Sequence, residues 1–381
     1  MKSVVISPSR CWAVSVSLFP SWERTLVSEI WGDLETKLAN DSIVCSWDWT
    51  ETWLKYYGDL VPHYFAVGDC AGIPCGVALI SQGVDRRCGP FRVQSRHLGT
   101  AGEPDADSVC VEYNRLLVAP ANREAFVSAL VAAIRREANW DEFILDGFAP
   151  EDAELLLRAE PSLVAERRVC RAVDLQTAGE MGGEILTALK TNTQKKIRRS
   201  LRGFGAIQTE WADTAEHALD ILNELIDLHQ RRWEQTGEPG SFSSARFAAF
   251  HRELVPRLFV KGAVLLFRAR STLGTIGCLY SFIEHGRVLF YQSGLATVDD
   301  NKLKPGLVTH ALCMQDSMER GLTEYNFLAG DSRYKQELST MERELVWASA
   351  RQRRMKFFIV DSLRRARQRV RGEEGLCDVK A

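Results

Sequence analysis

The same order of secondary-structure elements is predicted twice in this chain, and this repeat limits its possible folds more than any other feature. In each half, the hydrophobic pattern predicts a helix, hairpin strands, a further strand, a loop, a helix and a closing strand. The closing segments 140–147 and 322–330 are comparable, as are the hairpin segments 72–78 and 274–280. Sequence identity between the halves is low, so the repeat rests on the order of elements. The pattern therefore predicts a tandem duplication of one α/β unit.

Aromatic and apolar spacing places the elements of the first half. Trp49, Trp53, Tyr56 and Tyr57 recur at helical spacing, and Gly58 follows as a stop signal. The pattern then predicts strands at 63–67, 73–80 and 108–118, a helix at 122–138, a strand at 141–145, a helix at 151–158 and a strand at 162–174.

The second half follows the same plan with longer elements. The pattern predicts helices at 185–202 and 214–233, strands at 263–269, 275–283 and 287–293, a helix at 306–320, a strand at 324–328 and a basic helix at 351–371. We expect an α/β (α+β) fold of two domains, each a mixed, mostly antiparallel sheet flanked by helices. The predicted domains are 1–178 and 179–350, followed by a basic amphipathic C-terminal helix and tail at 351–381.

Composition excludes several classes of protein. The chain has 48 Lys and Arg against 50 Asp and Glu, and 45% of its residues are hydrophobic. These values exclude a disordered chain and a globally basic nucleic-acid coat. Ten cysteines form no CxxC pair, and no histidine lies at metal-ligand spacing beside them. We therefore expect reduced, mostly buried thiols and no metal.

Neither a signal peptide nor a membrane span is predicted. Ser7, Pro8, Ser9 and Arg10 interrupt the first twenty residues, and no stretch approaches the ~18 apolar residues of a span. The expected location is the cytoplasm. The basic helix 351–371 carries an apolar stripe, which suits an anionic membrane surface at the inner face or an anionic carrier protein. A solvated helix with one face packed on the domain is the alternative.

A candidate anion site follows the last hairpin strand. The strand ending in Tyr291 and Ser293 feeds a loop that closes with Lys302, Lys304, Pro305 and Gly306, and a helix begins there. Proline at the first helical turn, free amides, the helix dipole and two lysines favour an anion such as a cofactor phosphate. The alternative is an ordinary helix start with solvated lysines. The corresponding loop 117–122 has neither lysine nor glycine, so any cofactor is expected in the second half.

Several motifs together resemble a known family. The motifs are 46–53 (SWDWTETW), 190–199 (KTNTQKKIRR), 228–237 (LHQRRWEQTG), 304–306 (KPG), 330–331 (GD) and 334–335 (YK). Their order resembles the GNAT acyltransferase fold, and more closely the tandem-GNAT group of FemABX-like proteins and the CelD/BcsL family of polysaccharide gene clusters. The resemblance covers about residues 20 to 350. The glycine-rich pyrophosphate signature of ordinary GNAT enzymes is missing.

The resemblance implies a donor site in the second half. In such folds an acyl thioester lies between two splayed strands, with its pyrophosphate on the following helix. The implied donor is acetyl-CoA or another acyl-CoA, with a carrier-protein thioester as the alternative. The residues implied to bind it are Lys302, Lys304, Gly306, Leu307, Val308, Tyr280 and Ser293.

Acyl transfer also requires proton transfer and oxyanion stabilisation. Four residues near the open ends of the second-half strands are candidates: Asp331, Tyr334, Lys335 and Tyr291. Lys335 would offset oxyanion charge, Tyr334 would protonate a leaving thiolate, and Asp331 would act as base or orient either one. The alternatives are a salt-bridged turn around Asp331 and a tyrosine packed in the core.

Five residues are candidates for binding the acceptor: Trp49, Glu112, Lys196, His229 and Trp233. Glu112 interrupts an apolar run, and an inward carboxylate there is costly unless it is paired. It equally suits a solvent-facing position. His229 ends a long helix, where it would act as a base or interact with the helix C-terminus.

The resulting hypothesis is acyl transfer to an amine or hydroxyl of a saccharide or related small molecule, as in exopolysaccharide synthesis. Two alternatives remain open: a FemABX-like aminoacyl transferase using charged tRNA, and a non-catalytic scaffold of a polysaccharide assembly. The basic stretch 190–202 lacks the interleaved aromatics that stack nucleic-acid bases, which argues against nucleic acid as a partner.

Overall fold

The computed structural model describes residues 13–39, 42–137, 139–363 and 365. Its strands are β1 Val14–Pro20, β2 His63–Cys70, β3 Ile73–Gln82, β4 Arg87–Cys88, β5 Phe91–Arg92, β6 Ser95–Leu98, β7 Leu117–Val118, β8 Glu142–Phe148, β9 Val164–Asp174, β10 Ile207–Trp211, β11 Val264–Ser271, β12 Gly274–Glu284, β13 Arg287–Leu295, β14 Glu324–Ala329 and β15 Met341–Arg351. Its α-helices are α1 Arg24–Leu38, α2 Trp47–Tyr57, α3 Arg123–Arg136, α4 Pro150–Ala159, α5 Leu175–Glu180, α6 Ile185–Ala188, α7 Thr191–Phe204, α8 Ala215–Thr236, α9 Ala245–Val260, α10 Pro305–Glu319 and α11 Arg333–Leu338. Residues 355–363 are also helical.

Nearly all the strands join in one mixed sheet. Their order is β1-β2-β3-β6-β8-β15-β9-β14-β13-β12-β11-β10, with β7 beside β3, and β4 pairs only with β5. Neighbours are antiparallel except for one parallel pair in each half, β6 with β8 and β13 with β14. The predicted tandem α/β fold, with mostly antiparallel sheets flanked by helices, is therefore confirmed. Within this sheet, the strands of the first half and those of the second half meet edge to edge.

Two strands cross between the halves at this junction. The first-half strand β9 pairs with β14 of the second half, from Asp174 opposite Glu324 to Cys170 opposite Ala329. The last strand, β15, lies between β8 and β9 and pairs with both. Each half thus completes its sheet with a strand from the other half. The domain boundary at 178/179 remains a prediction.

The helices cover both faces of the sheet, and one hydrophobic cluster runs through both halves. The aromatic helix α2 packs against α9, with Trp49 and Tyr57 lying edge-on to Phe250 at ring-centroid distances of 5.2 and 6.1 Å. On the opposite face, α5, α6, α7 and α10 enclose a second cluster that includes Leu265, Leu279 and Val308. Burial of the α2 aromatics explains their helical spacing.

Most of the predicted elements are present, including α2 ending at Gly58 and α8 ending at a left-handed Gly237. The strand predicted at 108–118 is wrong apart from β7. Cys110 and Tyr113 have φ angles of 47° and 56°, which interrupt any strand there. The predicted helix 185–202 is two helices, because Leu189 and Lys190 adopt extended ψ angles of 160° and 140° between α6 and α7.

The elements that were not predicted from the sequence include α1, β6, β10, α9 and β15. The apolar residues of α9 spread widely around the helix because it packs between α2, α8 and the sheet. The basic helix predicted to begin at 351 begins instead at 355, because Arg351 ends β15. Residues 364 and 366–371 of that prediction lie outside the described part of the chain. Within the part that the structure describes, no helix is long and apolar enough to cross a membrane.

Candidate functional site

The parallel strands β13 and β14 separate towards their C-terminal ends. They pair only at 287–289 with 324–326, and then β14 bends away. Asn326 Oδ1 accepts a hydrogen bond of 2.8 Å from the backbone N–H of Leu328, which has a φ of 59°. A cavity of about 430 Å³ opens in the gap. The residues around it are Cys110, Glu112, His229, Arg232, Trp233, Thr236, Phe290, Tyr291, Gln292, Ser293, Phe327, Leu328, Ala329, Tyr334 and Lys335.

Lys335 lies where β14 ends. Its Nζ donates a hydrogen bond of 2.7 Å to the carbonyl of Ala329, while the N–H of Ala329 donates one of 2.7 Å to Glu112 Oε2. Burial lowers the pKa of Lys335, and the nearby carboxylate of Glu112 opposes that shift. Burial also raises the pKa of Glu112, opposed by the Ala329 hydrogen bond and by Lys335. The site therefore contains an ammonium group hydrogen-bonded to the backbone carbonyls of Leu328 and Ala329, with the carboxylate of Glu112 nearby.

Tyr334 forms another wall of the cavity. Its ring stacks on His310 with centroids 5.6 Å apart and planes at 15°. Burial raises the pKa of Tyr334 to about 12, so its hydroxyl is protonated at neutral pH. Burial lowers the pKa of His310 to about 3, and its Nδ1 lies 2.9 Å from the Tyr325 hydroxyl. The neutral imidazole of His310 therefore packs against the ring of Tyr334 behind the cavity wall.

Tyr291 belongs to a buried polar chain that the sequence did not reveal. Its hydroxyl donates to the carbonyl of Val109 at 2.7 Å and lies 3.1 Å from His251 Nε2. His251 Nδ1 lies 3.2 Å from the Tyr280 hydroxyl. Burial lowers the pKa of His251 to about 3. One neutral tautomer of His251 satisfies both hydrogen bonds: its Nε2–H donates to the Tyr291 hydroxyl, and its Nδ1 accepts from the Tyr280 hydroxyl. No motif marks His251, because its partners come from distant strands.

The predicted anion turn follows the C-terminal end of β13, the end towards which the gap opens. Lys304 precedes the first turn of α10, where no side chain caps the helix. Ser200 of α7 holds the turn, donating to the carbonyl of Lys302 and accepting from the N–H of Lys304, both at 3.1 Å. The amides of Gly306 and Leu307 therefore remain available to an anion.

The side chains at this turn differ in their accessibility. Lys302 is exposed and Lys304 half-buried, whereas Leu307 and Val308 are buried. Leu307 and Val308 can thus contribute backbone N–H groups but not side-chain contacts. The walls of the cavity between β13 and β14 do not include residues 302–308.

The remaining predicted residues divide into two groups. Ser293, Glu112, His229 and Trp233 line the cavity together with Tyr291, Tyr334 and Lys335. His229 Nε2 accepts a hydrogen bond of 2.9 Å from Trp233 Nε1, and burial lowers the pKa of His229. Its other ring nitrogen, Nδ1, lies 3.0 Å from Gln230 Oε1, so both nitrogens of His229 have partners within the protein and neither is free to act as a base.

The second group lies away from the cavity. Trp49 is 1% exposed and donates to Thr100 Oγ1 at 2.7 Å, and Tyr280 is fully buried. Lys196 pairs with Glu337 at 2.9 Å. Asp331 is exposed and pairs with Arg171 at 2.9 Å, a contact that lowers its pKa. These positions do not support direct contact of Trp49 or Tyr280 with a substrate, because both side chains belong to the core.

The described residues include no group of three or more His, Cys, Asp or Glu side chains placed to hold a metal ion.

Comparison with known proteins relates this geometry to a family. Residues 191–336 match the family model described as "Acetyltransferase (GNAT) domain". FemX has a TM-score of 0.52 at 12% identity, over 78% of this chain and 90% of that chain. L-PGS from Bacillus licheniformis has a TM-score of 0.50 at 10% identity, over 88% of this chain and 96% of that chain.

A third structure, the C-terminal DUF2156 domain of an Agrobacterium fabrum protein, has a TM-score of 0.54 at 14% identity, over 89% of this chain and 96% of that chain. The comparison with curated proteins finds no match. Identities this low show a shared fold. The match over residues 191–336 shows that this part of the chain is similar to the acetyltransferase (GNAT) domain.

Proposed function

We propose that the protein transfers an acyl group from an acyl-CoA-type thioester to an amine or hydroxyl of a saccharide or related small molecule. The observation that carries this proposal is the gap between β13 and β14. It holds an ammonium and a tyrosine hydroxyl near the end of β14, and an uncapped helix start follows β13. The match to a GNAT acetyltransferase domain over 191–336 includes both strands and that helix.

The donor fits this gap in two parts. Its phosphates meet the first amides of α10, with Lys302 and Lys304 beside them and the basic helix α7 behind. Beyond Leu289, β13 has no strand partner on the β14 side, so its backbone groups are open to an extended thioester arm. The acyl carbon would then lie near Tyr334 and Lys335.

Three groups serve the transfer itself. The acceptor nitrogen or oxygen bonds to the acyl carbon, and the C–S bond breaks. The Lys335 ammonium lowers the energy of the developing oxyanion. Tyr334 donates a proton to the leaving thiolate. The proton released by the acceptor then returns to the Tyr334 oxygen. Glu112 keeps Lys335 protonated by raising its pKa.

Thermal unfolding of the full chain with acetyl-CoA, longer acyl-CoAs and free CoA tests donor binding. A donor near 100 times its Kd adds ~2.7 kcal/mol, which raises Tm by a few degrees. Lys304→Ala should reduce this shift. Lys335→Ala should keep the shift but lower kcat about 100-fold, and the matched surface variant Lys55→Ala should change neither. If no acyl-CoA raises Tm, the donor assignment is wrong.

Aminoacyl transfer from charged tRNA is the second candidate. The observation that favours it is the outward face of α7, where Lys195, Arg199 and Arg202 are exposed directly beside the turn at 302–304. Such a surface suits a polyanion larger than CoA. Salt-dependent tRNA binding that weakens in Arg199→Ala, with no response to any CoA, would support this candidate over the first.

The basic C-terminal segment supports a proposed contact with an anionic membrane surface or carrier protein. Met355, Phe358 and Leu363 are 73%, 65% and 57% exposed on the helical segment 355–363. Binding to anionic vesicles that is lost in Phe358→Ser would support the membrane contact. If Lys304→Ala and Lys335→Ala are silent in cells while removal of 355–381 is not, a scaffold role is the better explanation.

A further inference from the structure

The first half contains a second, larger cavity at the position that corresponds to the donor gap. Its parallel strands β6 and β8 pair only at 95–97 with 142–144. A cavity of about 780 Å³ opens beyond this pairing. Its walls include the segment 100–106, residues 110–112 and Asp146. No cofactor was expected in this half from the sequence, and the cavity is separate from the one between β13 and β14.

Glu103 is a buried carboxylate in the wall of this cavity. Its side chain accepts a hydrogen bond of 2.9 Å from the backbone N–H of Val109 through Oε1. Oε2 has no hydrogen-bond partner among the described residues, although the residue is only 9% exposed. Burial raises the pKa of Glu103 to about 7. An unpaired buried oxygen of this kind costs free energy unless a ligand satisfies it.

Other charges around the cavity favour a cation. Five carboxylates line it, namely Asp85, Glu103, Asp105, Glu112 and Asp146, against three arginines, Arg86, Arg87 and Arg168. Two of those arginines are already paired outside the cavity lining, Arg86 with Glu142 at 2.9 Å and Arg168 with Glu166 at 2.7 Å. Two of the carboxylates are also engaged, because Asp146 Oδ2 lies 2.7 Å from His97 Nδ1 and Glu112 accepts from the N–H of Ala329. The other groups, Asp85, Glu103 and Asp105 against Arg87, remain negative on balance, which is complementary to a positively charged group.

The segment that is hydrogen-bonded to Glu103 also bounds the donor cavity. Val109 binds Glu103 through its N–H and Tyr291 through its carbonyl, at 2.9 and 2.7 Å. Cys110 and Glu112 line both cavities. A molecule held at Glu103 is therefore separated from the thioester gap only by the segment 109–112.

We propose that this first-half cavity binds the acceptor through a primary ammonium group that pairs with Glu103. The proposal rests on the proposed acyl transfer and narrows its acceptor to a molecule that is recognised by a primary ammonium group, while another amine or hydroxyl of the same molecule takes the acyl group. The ammonium supplies the hydrogen-bond donor that Oε2 lacks and offsets the excess of carboxylates. The rest of the acceptor lies along the wall at 109–112, next to the donor cavity.

Calorimetric titration of the full chain with glucosamine and with glucose tests the proposal, because these probes differ by an ammonium in place of one hydroxyl. We expect glucosamine to bind at least about tenfold more tightly than glucose. Glu103→Gln should remove that preference and leave the binding of glucose and of acetyl-CoA unchanged. The matched variant Glu238→Gln, which alters an exposed glutamate, should behave as the wild type.

Equal affinity for the two sugars, no binding of glucosamine, or a preference retained in Glu103→Gln would each overturn the proposal. A failure of the donor assignment looks different. In that case acetyl-CoA fails to bind, while the preference for glucosamine and its dependence on Glu103 are still measured.

Discussion

The backbone N–H of Ala329 donates a hydrogen bond of 2.7 Å to Oε2 of Glu112, a residue 217 positions earlier in the chain. The carbonyl of the same residue, Ala329, accepts from Lys335 Nζ at 2.7 Å. One residue of β14 thus links a carboxylate of the first half to the ammonium of the second. The candidate site exists only when both halves are assembled.

Glu112→Gln should shift the pH dependence of activity. The amide oxygen can still accept from Ala329, but the negative charge that raises the pKa of Lys335 is lost. The pKa of Lys335 then falls further below its usual range, and the ammonium is lost at lower pH. We expect the alkaline limb of the kcat profile to move to lower pH, measured by steady-state transfer across the pH range. An alkaline limb that stays in place would show that Lys335 does not control it.

Glu103→Gln should stabilise the protein at neutral and alkaline pH. Burial raises the folded-state pKa of Glu103 from 4.5 to about 7, so the folded state binds the proton more tightly than the unfolded state. This contribution to stability is fully present below pH 4.5 and is lost as pH rises through about 7. The glutamine of the variant does not titrate, so the variant does not lose this stability as pH rises. Relative to wild type, its free energy of unfolding should rise by about 3 kcal/mol between pH 4.5 and 8.

Denaturant unfolding at several pH values measures that difference, with Glu238→Gln as the exposed control. A difference that does not change with pH would mean that Glu103 is ionised in the folded state at acidic pH.

Gly294→Ala should destabilise the protein strongly. A Cβ at Gly294 of β13 would lie 2.2 Å from the carbonyl oxygen and 2.8 Å from the Cα of Leu225 in α8. Both are backbone atoms, so the strand and the helix would have to separate. We expect the free energy of unfolding to fall by at least about 2 kcal/mol. The control is Gly32→Ala in α1, where a Cβ meets nothing within 4 Å. The free energy of unfolding of Gly32→Ala should rise by about 0.5–1 kcal/mol. Equal Tm values for the two variants would contradict the close packing of α8 on β13.

The two predicted domains should not fold separately. A fragment 1–178 lacks β15, which pairs with β8 and with β9, and a fragment 179–381 lacks β9, which pairs with β14. Each fragment would expose an unpaired strand in the middle of the sheet, which favours aggregation. We expect soluble protein only when the two fragments are co-expressed, as measured by size-exclusion chromatography. Its thermal unfolding, followed by circular dichroism, should then be cooperative. A monomeric, cooperatively folded fragment alone would show that the exchanged strands are dispensable.

The parts of the fold that were predicted from the sequence are those that depend on residues close together in the chain. The aromatic spacing in α2 and the stop at Gly58 depend on contacts within a few residues, and so do the short hairpins linking β11, β12 and β13. The strand, loop and helix around Lys304 are similarly local. These elements, and the presence of Tyr291, Tyr334 and Lys335 near the ends of second-half strands, follow from periodicity and chain order alone.

The tertiary structure decided which strands pair and which polar groups meet. Alternating side chains mark a strand but do not name its partner, so the exchange of β9 and β15 has no sequence signal. His251 reaches Tyr280 and Tyr291 only because α9 packs on that face of the sheet. Glu103 and Glu112 became parts of two cavity walls because Cys110 and Tyr113 adopt left-handed backbone conformations. The sequence by itself determined a tandem α/β chain with an anion-ready turn, since both depend on neighbouring residues. The cavity between β13 and β14 and the cavity of the first half required contacts between residues up to more than 200 positions apart, which only the folded chain establishes.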